Sequence, residues 1–243
     1  MPDVAASRLA GTPRRRVVIL ADGEAPSRNL LDDAWPGWSR GISMVIAADG
    51  GAVHAQSLGL RVDRWVGDGD SISPGLLGLL EAAGVEILRA PTEKDETDAE
   101  LALLAAIDAG ADEISIIGAL GGARTDHALA NVGLLGHPAL EGRPVRLYDA
   151  RAARISLVVA PDAAGRPVTR DLEGRPGDLV SLVPAGVSAT GVTTDGLRFP
   201  LREEPLVLGR TRGVSNVRTA PVARITLESG RLLVIETPAN LRP

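Results

Sequence analysis

The 243-residue sequence contains no cysteine, which excludes disulfides and thiolate metal sites, and its three scattered histidines argue against a zinc centre. Aromatic residues make up only 2% of the chain and Phe199 is the sole phenylalanine, so the core must be aliphatic and each ring asks for a reason. Lysine is scarcer still. Lys94 is the only one in an arginine-rich chain, which fits either a position that wants a compact, flexible ammonium or a chance survivor. No uninterrupted apolar run reaches membrane-spanning length, and the basic cluster near the start follows the apolar residues instead of preceding them, unlike a secretory signal. We expect a cytoplasmic protein. The formal net charge is −5 with both signs interspersed, so there is no broad basic face for nucleic acid or an anionic membrane. Any anionic partner must be met locally, and a hard, oxygen-seeking cation stays compatible with the composition.

What is present is a 44% hydrophobic chain, long enough for one large domain or two small ones. From Arg15 to about Ala150, short apolar runs such as "RVVIL", "SMVIAAD", "DRWVGD", "VEILRA", "EISIIGA" and "PVRLYDA" alternate with helical stretches such as "PGLLGLLEAAG" and "TDAELALLAAIDAG". That rhythm predicts an α/β domain with a mostly parallel sheet, whose ligands bind at the carboxyl ends of the strands. Beyond about Arg151 the helical spacing gives way to short β-like runs separated by Gly, Pro and Asp, with "ESGR" expected as a hairpin turn. The expected organisation is a loose tail over 1–13, an α/β domain over 14–150 and a small all-β domain over 151–243.

The stretch "VGDGDS" puts Asp68 and Asp70 one glycine apart at a strand end, and alternate residues of an extended segment face one side. Side by side they repel, and a divalent cation would satisfy both as ions. An ordinary Asp-Gly turn in solvent explains the tripeptide equally well when it is taken alone. Other strand ends add to it. "VIAADGG" ends in Asp49 before Gly50 and Gly51, and "PTEKDETDAE" sets Lys94, Asp95 and Asp98 after the strand "VEILRA", with Thr97 and Glu100 at capping-box spacing. Asp98 alone is accounted for as well by the helix dipole. Five carboxylates on one edge of one sheet nonetheless require a counter-charge.

A further strand end carries "GALGGARTDHALAN". Gly118, Gly121 and Gly122 let backbone approach a ligand, Arg124 can fork onto phosphate oxygens and Asp126 opens a helix. The stretch is neither a Walker loop nor a G-x-G-x-x-G fingerprint. His127 reads more readily as a helix-terminus residue than as a metal ligand. Carboxylates for Mg²⁺, with Lys94 and Arg124 for phosphate, point to nucleoside-triphosphate chemistry.

The ordered set "ADGGA", "VGDGDS", "KDETDAELAL", "GALGGARTDHALAN" and, downstream, "DGLRFPL" with "TRGVSN" resembles the thiamine pyrophosphokinase family, from roughly Arg15 to the C-terminus. The resemblance implies a Rossmann-like catalytic domain followed by a β-sandwich that binds thiamine, and a homodimer with sites in clefts where the subunits meet. It implies transfer of the diphosphoryl group of ATP to the thiamine hydroxyl, releasing AMP. Asp49, Asp68, Asp70 and Asp98 match the family's acidic catalytic cluster, with Asp68, Asp70 and Asp98 as Mg²⁺ ligands. Lys94, Asp95, Gly121, Gly122, Arg124, Asp126 and Asn131 fall in the nucleotide-facing motifs. Phe199 falls where the family presents a ring to the thiamine pyrimidine, and Ser215 with Asn216 falls in the substrate-side motif. Three departures are visible: Gly69 replaces a bulky aromatic between the paired aspartates, "GGARTDH" is one residue longer than usual, and Phe199 stands for the commoner Trp or Tyr. The rival readings are a pyrophosphokinase for another heterocyclic alcohol such as a hydroxymethylpterin, and a catalytically silent nucleotide-binding module.

Overall fold

A computed structural model describes residues 14–239; the expected tail, 1–13, lies outside the described residues. Among the described residues, fourteen strands form two sheets. The first half of the chain runs β1 (Arg16–Leu20), α1 (Arg28–Ala34), β2 (Ile42–Ala48), α2 (His54–Leu58), β3 (Arg64–Gly67), α3 (Pro74–Ala82), β4 (Glu86–Arg89), α4 (Asp98–Asp108), β5 (Glu113–Ile117), α5 (Thr125–Gly133) and β6 (Val145–Tyr148). Among the described residues only strands follow: β7 (Arg154–Ala160), β8 (Val168–Glu173), β9 (Leu179–Pro184), β10 (Ala189–Asp195), β11 (Glu204–Leu206), β12 (Asn216–Val217), β13 (Val222–Leu227) and β14 (Gly230–Thr237).

Helices α1, α3 and α4 start where the sequence offers caps. The hydroxyls of Ser27, Ser73 and Thr97 accept from the amides of Leu30, Leu76 and Glu100, closing the first turns of α1, α3 and α4. The expected capping box at α4 forms only this one bond among those described, because the Glu100 carboxylate turns to His137, with Oε1 3.3 Å from Nε2.

Strand β1 alternates its side chains between two cores. Val17 and Ile19 pack with Ala102, Leu103 and Ala106 of α4 on one face, and Val18 and Leu20 pack with Leu31, Leu58 and Trp65 on the other. Covered on both faces, β1 runs apolar from Val17 to Leu20, and β5 interrupts its isoleucines only with the small, buried Ser115. Trp35, Trp38, Trp65 and Tyr148 all lie in the second core, so Phe199 is the one ring outside it.

The large sheet has the order β12-β9-β14-β7-β6-β5-β1-β2-β3-β4. The block from β6 to β4 is parallel, whereas β7, β14, β9 and β12 join antiparallel. The sheet is therefore mixed, and it passes through residue 150 without a break, since Leu147 pairs with Ile155 and Tyr148 with Arg154. The second sheet, β11-β10-β13-β8, is antiparallel and shares a third core with β7, β9 and β14 through residues such as Val158, Val180, Ile225 and Val234.

The expected hairpin at "ESGR" does not exist. Strand β13 pairs with β8 and β10, while β14 pairs with β7 and β9, so the chain changes sheets there. Gly230, at φ +105°, makes the passage possible: a Cβ on it would lie 2.4 Å from the Ser188 carbonyl oxygen. Among the described residues no helix is long and apolar enough to cross a membrane.

Candidate active site

From β1 the chain winds outward through β2, β3 and β4, then returns so that β5 lies on the other side of β1. The reversal leaves a crevice at the carboxyl ends of β1 and β5, the usual ligand site of such sheets. An open cleft of about 630 Å³ lies there, lined by Asp22, Asp49, Asp68, Asp70, Lys94, Asp95, Asp98, Gly121, Gly122, Arg124 and Asn131 among others. Of the acidic and nucleotide-facing residues expected from sequence, all but Asp126 line this one cavity; Asp126 stands outside it, paired with Arg124.

Asp49 directly follows β2 and opens a short 3₁₀ turn, Asp49–Val53, at φ +42°. A non-glycine residue in this region carries strain that its surroundings must hold. Here the Trp65 indole Nε1 donates to the Asp49 carbonyl at 3.0 Å, and the Ser71 amide donates to Oδ2 at 3.3 Å. Oδ1 is buried without a donor. Burial pushes the carboxyl up to about 6; the Ser71 amide works against that rise, and the Asp98 and Asp70 carboxylates add to it.

Oxygens of Asp49, Asp68 and Asp70 lie within 4.8 Å of one another, a grouping that a hard cation could bridge. The orphaned Asp49 oxygen fits that role, because a bound cation would supply the partner it lacks. The Asp70 amide donates to Asp68 Oδ1 at 3.1 Å, and the Ser71 hydroxyl donates to Asp70 Oδ1 at 3.0 Å. Asp98, expected beside Asp68 and Asp70 as a metal ligand, stands outside this triad and faces Lys94, whose Nζ lies 3.2 Å from its Oδ1. Lys94 also donates to Asp68 Oδ2 at 2.9 Å, and this bond holds the Asp68 carboxyl below its ordinary value. Burial raises Asp98 despite the same ammonium.

Sequence reasoning missed Asp22. It follows β1 as Asp49 follows β2, and "LADG" repeats the "AADG" pattern, so the signal was there to be read. Its carboxyl is raised by burial and by the Asp70 and Asp98 charges, with His54 opposing. Gly50 makes room for it: a Cβ there would sit 2.2 Å from Asp22 Oδ1.

The glycine-rich loop is tied to the end of β1. The Gly23 amide donates to the Gly118 carbonyl at 2.7 Å, the Glu24 amide donates to the Leu120 carbonyl at 3.1 Å, and Asn131 Nδ2 donates to the Ala119 carbonyl at 2.8 Å. Asn131 therefore anchors the loop from α5. Arg124 and Asp126 are both exposed and form a two-pronged pair at 2.9 and 2.7 Å, which holds the Asp126 carboxyl well below its usual range.

Phe199, Ser215 and Asn216 form a second group that does not line the cleft. Asn216 clamps the backbone of Phe199 by accepting from its amide at 3.0 Å and donating to its carbonyl at 2.7 Å, and the ring is left 62% exposed. Ser215, at φ +61°, donates its amide to Ser181 Oγ at 2.9 Å.

Comparison with known proteins agrees in both halves of the chain. A family model described as the thiamin pyrophosphokinase catalytic domain matches residues 38–147, and one described as the thiamin pyrophosphokinase vitamin B1 binding domain matches 168–232. The curated thiamine pyrophosphokinase of Bacillus subtilis is 28% identical over 223 residues, covering 92% of this chain and 99% of that protein. Thiamine pyrophosphokinase 1 of Oryza sativa is also 28% identical, over 91% of this chain and 79% of its own. The crystal structure of the Bacillus subtilis enzyme superposes with a TM-score of 0.76 at 26% identity, covering 92% of this chain and 99% of that one. The Candida albicans thiamin pyrophosphokinase shares the fold, with a TM-score of 0.72 at 17% identity over 92% of this chain and 89% of its own.

Proposed function

The chain belongs to the thiamin pyrophosphokinase family, and from that premise we propose how its residues carry out the reaction. It is a thiamine diphosphokinase: the thiamine hydroxyl attacks the β-phosphorus of ATP, the bond from that phosphorus to the α-phosphate oxygen breaks, and AMP leaves. The observation that carries this reading is the compact carboxylate triad at the sheet reversal, facing the glycine-rich loop, in a chain matched almost end to end by the Bacillus subtilis enzyme.

Asp49, Asp68 and Asp70 would hold Mg²⁺, with Asp98 and Asp22 adding negative charge around it. Bound there, the ion would neutralise charge on the transferring group. The protein's own contribution is positioning and electrostatics. The loop from Gly118 to Gly122 brings backbone close to the polyphosphate, Arg124 and Lys94 supply positive charge, and Asn131 fixes the loop.

Phe199 would receive the flat heterocycle of thiamine on its exposed face. Since neither it nor Asn216 lines the acidic cleft, we place the complete site between two copies of the chain, each giving its Phe199 to the cleft of the other. The exposed apolar side of α5, where Leu129 is 70% exposed beside the cleft, is a surface such a partner would cover. Functionally we divide the chain at 150, into a Rossmann-like part for ATP and the metal and a β-sandwich part for thiamine, although one sheet runs through both.

The test is AMP release by the purified protein with Mg-ATP and a panel of alcohols. AMP that appears only when thiamine and Mg²⁺ are both present supports the assignment. A hydroxymethylpterin as the preferred acceptor would move the chain to another substrate, and ATP binding without AMP formation would make it a silent module.

A further inference from the structure

Away from the cleft, the densest buried charge sits where the two sheets meet the end of α1. Arg218 and Glu236 are 1% and 2% exposed. Arg218 Nη2 donates to Glu236 Oε1 at 2.8 Å, and Nη1 donates to the Leu172 carbonyl. Arg154 grips the same carboxylate with two donors, at 2.8 and 2.9 Å, and lays its guanidinium 3.9 Å from the centre of the Trp35 ring. The chain gives way to fit Arg218: a Cβ on Gly174 would lie 2.8 Å from its Nε.

Charge buried this deeply is a poor route to stability, since well-packed apolar side chains often serve as well or better. What it does secure is geometry. Arg218 directly follows β12, and its amide donates to the Asp178 carbonyl at 2.8 Å. The segment opposite is bound to the same stretch: the Arg198 amide donates to the Val217 carbonyl at 2.8 Å and the Thr219 amide donates to the Gly196 carbonyl at 2.8 Å. Two residues before Arg218, Asn216 holds both polar groups of the Phe199 backbone. The buried guanidinium is thus the fixed end of a short lever whose free end is the exposed ring.

We propose that Arg218, locked onto Glu236, is a positioning residue for the acceptor heterocycle, fixing the strand that clamps Phe199. The inference rests on the reading of Phe199 given above. Arg218 touches no substrate, and it acts by keeping the ring at one place and angle before the heterocycle arrives, so that binding does not have to order it.

Arg218→Met is the informative variant, because Arg154 still pairs with Glu236 and no buried carboxylate is orphaned. We expect it to fold and to raise the KM for thiamine about tenfold, the scale of one lost stacking contact, with kcat and the KM for ATP near wild type. Arg218→Lys, which keeps a cation beside Glu236, should recover part of that loss. Amide exchange over residues 196–199 should quicken in Arg218→Met. Unchanged exchange there, an unchanged KM for thiamine, or a parallel rise in the KM for ATP would overturn the inference. If Arg218→Met does not fold, Arg218→Lys carries the same test, and a wild-type KM for thiamine with wild-type exchange overturns it. Phe199→Ala separates the two readings: an unchanged KM for thiamine there overturns the assignment of the ring, while the exchange measurement still judges Arg218 as the anchor.

Discussion

Lys94 spans two carboxylates, donating to Asp68 Oδ2 at 2.9 Å with its Nζ 3.2 Å from Asp98 Oδ1. The only lysine in the chain thus sits inside its densest acidic cluster as the resident counter-charge. Arginine could not substitute easily, since a planar fork would not sit between two carboxylates as a compact ammonium does. Lys94→Met should leave both acids without an ionic partner and destabilise the metal-free protein by about 1–3 kcal/mol. Saturating Mg²⁺ should restore most of that, because a divalent ion supplies the missing charge. Thermal unfolding with and without Mg²⁺ checks this; a loss of stability that Mg²⁺ leaves untouched would refute it.

Asp70→Asn keeps the shape of the side chain and removes one charge of the triad. With the Ser71 hydroxyl still able to bond the amide oxygen, the fold should persist with a nearly unchanged Tm. Turnover should fall by about a hundredfold or more. Coupled AMP release is the measurement, and near-normal turnover would remove Asp70 from the catalytic set.

The raised carboxyl of Asp49 gives a pH signature of definite sign. Its folded value, about 6, lies above the ordinary 3.8, so between these values the folded protein holds a proton that the unfolded chain has released. The contribution of Asp49 to stability is therefore greatest below about pH 4 and is lost as pH rises through 6. Asp22 and Asp98 are raised as well and act in the same direction. Asp49→Asn, which never ionises, should melt above wild type at pH 8 in the absence of metal, with the difference shrinking toward pH 4.5. Equal melting differences at both pH values would refute the assignment. Protons and cation compete for the same oxygens, so Mg²⁺ affinity of the wild type should drop between pH 7 and 5.

The cleft was legible in the sequence because strand ends are. Apolar runs bounded by Asp and Gly locate the βα junctions, and "RVVIL" coincides with β1 residue for residue. What escaped was decided by distant partners. Strand β8, "VTRDLE", shows little apolar alternation, and it is a strand because all six of its residues pair along β13. The "ESGR" turn has hairpin composition, but its two flanking strands find better partners in different sheets. Glu100 was read as a local cap and is drawn instead to His137, far along the chain. Asp22 was passed over although it repeats the pattern of Asp49. Asp22→Asn should lower turnover at least about tenfold, and Gly50→Ala, which would push a methyl into the Asp22 carboxylate, should mimic it at some cost in stability.

The separation of Phe199 from the acidic cleft yields the sharpest test of a shared site. If each site combines the aspartates of one subunit with the ring of the other, Asp70→Asn and Phe199→Ala homodimers each carry two damaged sites. A heterodimer of the two variants has one site bearing both lesions and one bearing neither. Random mixing makes half the dimers heterodimers, each with one sound site of two, so co-expression should recover about a quarter of wild-type AMP release at low thiamine. Were the ring and the aspartates of a single chain to serve the same site, every site in the mixture would be damaged. Activity would then never exceed the average of the two variants assayed apart, and the shared arrangement would be refuted.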